Sequence, residues 1–501
     1  MSPVTPTASS PKLSIFTLAM INVAAILSVR GLPAGAEYGL SSAVYYSFAA
    51  VFFLIPVSLV AAELATAWPQ KGGVFRWVGE AFGPRWGFLA IWLQWVQSTI
   101  WFPTALTFAA VALAFTGPGQ RWDEALSGNR FYTLAIVLAV YWSATFVNFR
   151  GMTLSGAISK WGVIIGSLIP GLLIIVLGFL YYFQGQPVQI QMSWDQLFPN
   201  LDNFSNVVLA ISILLFFAGM EMSAVHVTEV DNPTRNYPLA IFLAALIIVV
   251  MMIFGTLGVA FIIPHSQINL TQSLLVGYGD YFRYYDFPWI IIPIIALCLG
   301  FGVFGQVSTW IAGPSKGLLS VGKAGYLPPF FQKTNAHGVQ IHILLVQAWC
   351  VTFMSIMFVI LPSVQAAYQI LTALAVTLYL TMYVLMFAAA ISLRHSQPQT
   401  PRPYQVPCGD GGMWLLGGGG LVISLIAYIF GFLPPAQIAV GSPAVYIGIL
   451  VFANILFVAI PFIIYACRKP HWKTAATGED AIEPFSWEKP TVVITTPDQF
   501  N

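Results

Sequence analysis

LAMINVAAILSVRGLPAGAEYGL (18–40) and VVLAISILLFFAGMEMSAVHVTEV (207–230) are the two stretches on which the reading of this chain turns. Each is apolar over the length needed to cross a bilayer core, about 20 residues. Each also breaks its own pattern halfway. The first carries Arg30-Gly31-Leu32-Pro33 in mid-span. Proline removes a backbone donor and glycine relaxes the chain. An intramembrane arginine costs at least about 2.5–3.5 kcal/mol even on the lenient insertion scale. The second carries Gly219 and Glu221 near its middle, with His226 about one turn further on. A helix that only fills lipid has no use for such residues, so both segments are read as discontinuous helices.

Composition supports a membrane setting. Of 501 residues, 8% are charged and 58% are apolar. Soluble domains carry about 25% charged residues, so a soluble enzyme of this size could not cover its surface. A net charge of +2 leaves no basic footprint for nucleic acid. The four cysteines, at 298, 350, 408 and 467, form no disulfide framework and no CxxC or Cys/His zinc pattern. No metal and no cofactor are expected.

The apolar residues are blocked into twelve candidate spans, at 14–36, 41–66, 85–115, 131–148, 160–183, 206–227, 237–263, 287–312, 341–361, 367–393, 413–433 and 443–467. The expected fold is therefore an all-α polytopic membrane protein with 12 transmembrane helices. The stretch 1–12 has no signal-peptide core or cleavage site, so the first span is expected to be retained. With the N-terminus inside, 16 of the 20 Lys and Arg fall on inner segments. Three, Arg121, Arg130 and Arg283, fall outside, and Arg30 lies within a span. The asymmetry predicts that both termini are cytoplasmic. The polar tail 468–501 is too short for a domain and reads as either a flexible end or a plug at the inner mouth. Gly72-Gly73 and Gly313-Pro314 read as tight inner-loop turns, and the glycine run 417–420 as a packing surface.

The two interrupted spans are the first and the sixth. An interval of five makes them cross in opposite directions, the pattern of an inverted-repeat secondary transporter. An opened helix bares amides at one half-helix N-terminus and carbonyls at the other's C-terminus. The amides suit a carboxylate and the carbonyls an ammonium, so a zwitterionic amino acid fits such a pair of breaks.

Three further stretches carry a family resemblance. AELATAWPQKGGVFRWVGEAFGPRWGF (62–88), FFAGMEMSAVHVTEVDNPTRNYPLAI (216–241) and STWIAGPSKGLLSVGKAGYLPPFFQKTNAHGV (308–339) resemble, in order, signatures of the amino acid–polyamine–organocation permeases. Among these the chain looks most like bacterial glutamate/GABA antiporters. The resemblance implies a LeuT-like 5+5 inverted repeat over 13–394, with repeat 1 about 13–183 and repeat 2 about 206–394. Peripheral helices 11 and 12 would occupy 395–467. It also implies that the backbone of Ser28, Val29, Arg30, Gly31 and Leu32 holds a substrate carboxylate. The backbone of Phe216, Phe217, Ala218 and Gly219 would accept its ammonium. Glu221 matches the family's span-6 glutamate, linked there to gating and proton-dependent exchange. Trp310 matches a span-8 aromatic that packs on the substrate. The matching break in the better-known antiporters carries no arginine, so Arg30 is a departure.

Several residues keep two readings. Arg30 binds a substrate carboxylate, or it pairs with Glu221, Glu37 or Glu63; a buried guanidinium with no partner is too costly. Glu221 is a proton-coupled gate or a cap for freed amides. His226 relays protons or simply ends the span. Gln94, Gln97 and Ser98, Gln306, and Thr372, Tyr379 and Tyr383 line the cavity or tie helices together. The function expected is a secondary active amino-acid transporter working by alternating access, most of all an antiporter of glutamate/GABA type. A proton-coupled amino-acid or polyamine symporter is the alternative. An intramembrane enzyme is remote, because no HExxH and no paired intramembrane aspartates occur. The expected partners are a small amino acid or its decarboxylated amine, the lipid bilayer and protons, with the chain a monomer or homodimer.

Overall fold

The computed structural model describes residues 14–199, 205–223, 230–436, 438–473 and 483–488. Among these, ten helices are long and apolar enough to cross a membrane. They are Gly39–Ala67, Pro84–Ala114, Arg130–Phe149, Ile158–Phe183, Thr234–Ile262, Ile291–Lys323, Ile341–Ile360, Val364–Ser396, Gly409–Phe430 and Pro443–Ala466. The two remaining apolar segments are the interrupted ones, and neither offers a continuous helix of that length.

In the first, the helix Ile15–Ile26 ends and Leu27 and Ser28 turn extended, with ψ of 118° and 114°. A single 3-10 turn, Val29–Gly31, then leads into the short helix Leu32–Ala36. The break therefore lies ahead of Arg30 and not at the proline. Pro33 sits in the first turn of the new helix, where a missing N–H costs nothing. In the second, the helix Ser205–Phe216 tightens at its end, Phe217 N–H bonding Leu214 O at 3.1 Å. Helix resumes at Met220–Ser223. Between them Gly219 takes φ +115°, a conformation that side chains disfavour, and a Cβ there would lie 2.8 Å from the Trp310 ring.

The helix Pro84–Ala114 is the central post. Its most apolar stretch is 94% buried, with Val364–Ser396 on one side and Ile291–Lys323 on another. The corresponding stretches of Gly409–Phe430 and Pro443–Ala466 are 28% and 17% buried, so these two helices sit at the periphery. Ile158–Phe183 and Ile291–Lys323 meet backbone on backbone: a Cβ on Gly166 would fall 2.3 Å from Gly302 Cα. Close by, Ser159 Oγ donates to Gly305 O at 2.9 Å and takes a hydrogen bond from Thr309 Oγ1 at 2.5 Å.

Gly72 and Gly73 do turn, at φ +127° and +52°. Gly313-Pro314 does not: the helix Ile291–Lys323 runs straight through it. Neighbouring side chains bind the carbonyls around the proline, Ser315 Oγ donating to Ile311 O and Ala312 O and Gln340 Nε2 to Ala312 O. Pro314 deprives Trp310 O of its usual donor. These bonds to the next two carbonyls brace the turn around it, as neighbouring side chains do where a membrane helix keeps a proline.

The lysine- and arginine-rich face is knotted by Glu63. Its Oε2 accepts from Arg394 Nη2 at 2.8 Å and Val406 N–H at 2.7 Å, and Arg402 Nε lies 3.3 Å from Oε1. Of the tails, 1–12 lies outside the described residues, but 483–488 docks on the amphipathic helix Val74–Phe82. Arg76 donates to Glu483 O and Pro484 O at 2.7 and 3.0 Å, and its guanidinium lies 4.9 Å from the Phe485 ring centre. Ser486 Oγ donates to Glu80, which also pairs with Arg76. Phe485 is buried over Gly79, where a Cβ would strike its ring.

Candidate functional site

A cavity lies between the two helix breaks. The first broken segment contributes Ile26, Ser28 and Arg30, and the second contributes Phe216 and Ala218. Gln97 and Trp101 enter from Pro84–Ala114, Gln306 and Trp310 from Ile291–Lys323, and Tyr379 from Val364–Ser396. Val29, Gly31, Leu32, Phe217 and Gly219 are not on the wall. Val29, Leu32 and Phe217 are buried in the surrounding core. Gly31 packs on the Phe216 ring and Gly219 on Trp310. His226 lies outside the described residues.

Two wall residues escaped the sequence reading, Ile26 and Trp101. Trp101 had a legible signal. It stands four residues after Gln97 and seven after Gln94, which puts all three on one helical face.

Arg30 is 5% exposed, and its Nε and Nη1 have no hydrogen-bond partner. What faces the guanidinium is aromatic: Trp101 at 4.6 Å and Phe216 at 5.6 Å to the ring centres. Cation–π contacts of this kind are worth about 2 kcal/mol when desolvated, which offsets part of the burial but satisfies no N–H. None of the three carboxylates considered as its partner forms an ion pair with it. Glu63 holds the knot described above. Glu37 lies 3.3 Å from His265 Nε2. Glu221 is committed to hydroxyls. The phenol of Tyr368 is its titratable neighbour. Gln97 Nε2 is a second buried donor on this wall with no partner.

Glu221 sits just past the second break and is 2% exposed. Its Oε1 accepts from Tyr379 OH at 2.5 Å and Gln94 Nε2 at 2.8 Å, and its Oε2 from Tyr383 OH at 2.6 Å. Tyr383 OH in turn accepts the Gly219 N–H at 2.9 Å. Three donors on two oxygens suit an ionised carboxylate. The chain Gly219 to Tyr383 to Glu221 ties that charge to the backbone of the break. Outside the spans, burial pushes the Glu37 carboxyl up to about 7.

A bundle of apolar helices around a buried polar cavity, flanked by two interrupted segments, defines a multi-pass membrane protein built to handle a small solute. The chain belongs to the amino acid permease family, whose model matches residues 13–455. It is similar, at 42% identity, to an uncharacterised transporter of Legionella pneumophila, with 91% of this chain and 97% of that protein aligned. It is 30% identical to a glutamate/gamma-aminobutyrate antiporter of Lactococcus lactis, over 94% of this chain and 92% of the relative. A probable agmatine/putrescine antiporter of Lactococcus lactis is 25% identical, over 84% and 88% respectively.

Proposed function

We propose that the protein is a secondary active amino-acid antiporter that works by alternating access at this cavity. The interrupted segments complete twelve crossings in a bacterial inner membrane, with both termini cytoplasmic. The first ten form two inverted halves, with the last two helices outside them. The observation that carries the reading is the set of unspent groups on the cavity wall. Arg30 Nε, Arg30 Nη1 and Gln97 Nε2 are all donors, buried and without acceptors. Donors converging on one space call for an acceptor-rich group, and a carboxylate is the one that every amino acid carries. Glutamate and GABA, the solutes named for the relatives at 30% identity, both have one.

Purified protein in proteoliposomes tests this. Labelled amino acids, offered one at a time, should enter vesicles preloaded with unlabelled amino acid and not empty ones. Uptake into empty vesicles that follows an imposed proton gradient would replace antiport with symport.

A further inference from the structure

We infer that Arg30 makes exchange obligatory, because the carrier can close over its guanidinium only when the cargo brings a carboxylate to it. The inference rests on the antiporter reading and adds what couples the two directions of transport.

Alternating access requires a closed form between the two open ones. When the cavity is open, water can hydrate Arg30. On closure that hydration is lost, and the protein must supply acceptors or the cargo must. Among the described residues no counter-charge is supplied: Nε and Nη1 have no hydrogen-bond partner, Trp101 and Phe216 offer ring faces, and the neighbouring Tyr368 brings a phenol and not a carboxylate. Glu37, Glu63 and Glu221 are held by His265, by Arg394 and Arg402, and by Tyr379, Tyr383 and Gln94. A buried guanidinium without a counter-charge is strongly unfavourable, and one that meets a carboxylate through paired N–H bonds is not. The loaded carrier therefore closes and turns over, while the empty one stays open on the side where it released its cargo. Glutamate and GABA both satisfy this condition. Putrescine, a dication with no carboxylate, adds positive charge to positive charge and does not.

The test uses the full chain in proteoliposomes with labelled L-glutamate outside and nothing, L-glutamate, GABA or putrescine inside. Uptake should be at least about a hundredfold faster with L-glutamate or GABA inside than in the other two cases, equivalent to about 2.7 kcal/mol. Arg30→Gln should lower that ratio to below about tenfold by letting the empty carrier close, half or less of the same barrier. Arg30→Lys keeps the charge and should keep the ratio, with weaker glutamate binding because an ammonium lacks the planar fork. A wild type that takes up none of the labelled amino acids under any preload, or fills empty vesicles equally well, refutes the antiporter reading itself; one that exchanges another carboxylate-bearing amino acid but not L-glutamate is tested in the same way with that amino acid as label. A wild type that exchanges while Arg30→Gln keeps the full ratio, or is folded but inactive throughout, overturns only the role of Arg30. Putrescine that supports exchange as well as GABA does overturns it without any variant.

Discussion

Replacing Tyr383 with Phe should harm the protein more than replacing Tyr379 with Phe, although both hydroxyls donate to the same carboxylate. Tyr379 OH donates to Glu221 Oε1 and holds no backbone group, and Gln94 Nε2 remains on that oxygen when the hydroxyl is gone. Tyr383 OH makes two, donating to Oε2 and accepting the Gly219 N–H. Loss of a hydrogen bond to a charged group costs about 1.5–3 kcal/mol, and either variant incurs that. Only Tyr383→Phe also strands a buried backbone N–H, which adds about 1–3 kcal/mol. Gly219 cannot turn its amide elsewhere without leaving φ +115°. The measurement is thermal unfolding of the purified proteins in one detergent, with Glu221→Gln and the double variant Tyr383→Phe/Glu221→Gln completing a cycle. The glutamine turns one acceptor oxygen into a donor facing donors, so it should be destabilising alone. The double variant should be less costly than the sum of the two singles. Equal midpoints for Tyr383→Phe and Tyr379→Phe, or additive effects in the cycle, would refute the idea that Glu221 reaches the break through Tyr383.

Three more outcomes are expected. Glu37 has a carboxyl raised to about 7 by burial, so between its unfolded value of about 4.3 and that folded value the native state holds more protons than the unfolded one. Its contribution is thus present at low pH and lost as pH rises through this window; Glu37→Gln should flatten that fall in a pH series of melting curves, and an unchanged slope would count against it. Gly166→Ala drives a methyl into Gly302 Cα and Cys298 O and should cost about 1–3 kcal/mol or more, read as a lower melting point, whereas Gly448→Ala, with open space at its Cβ, should melt as wild type does. Phe485→Ala empties the contact over Gly79 and weakens the hold of Arg76, so limited proteolysis should release the C-terminal tail faster than in wild type while the helical body stays intact.

Much of the architecture was legible because lipid imposes so strict a rule on composition. Runs of apolar residues marked the ten long helices, and the residues that violated the rule, Arg30 and Glu221, marked the two interrupted ones. Local signals misled where a tertiary partner decides the outcome. Pro33 looked like the breaker, yet a proline is comfortable in a first turn, and the extended residues are Leu27 and Ser28. Pro314 looked like a loop, yet Ser315 and Gln340 bind the carbonyls beside it and the helix continues. The partners of Arg30 were beyond sequence reasoning for a different reason. Charge arithmetic suggests carboxylates, but which carboxylate is reachable depends on how helices far apart in sequence are packed. All three went elsewhere, and aromatic faces took their place. The same holds for the tail: nothing in EPFSWE (483–488) announces that Phe485 would find a glycine-sized recess on Val74–Phe82.

The glycine seam between Ile158–Phe183 and Ile291–Lys323 has a mechanical corollary. Ordinary helix pairs interlock through side chains whose rotamers can absorb small offsets. Here main chain rests on main chain, and Ser159 and Thr309 stitch the joint shut. The two rods thus meet with no side-chain layer between them, and Gln306 and Trp310 of the cavity wall stand on the same rod as that joint.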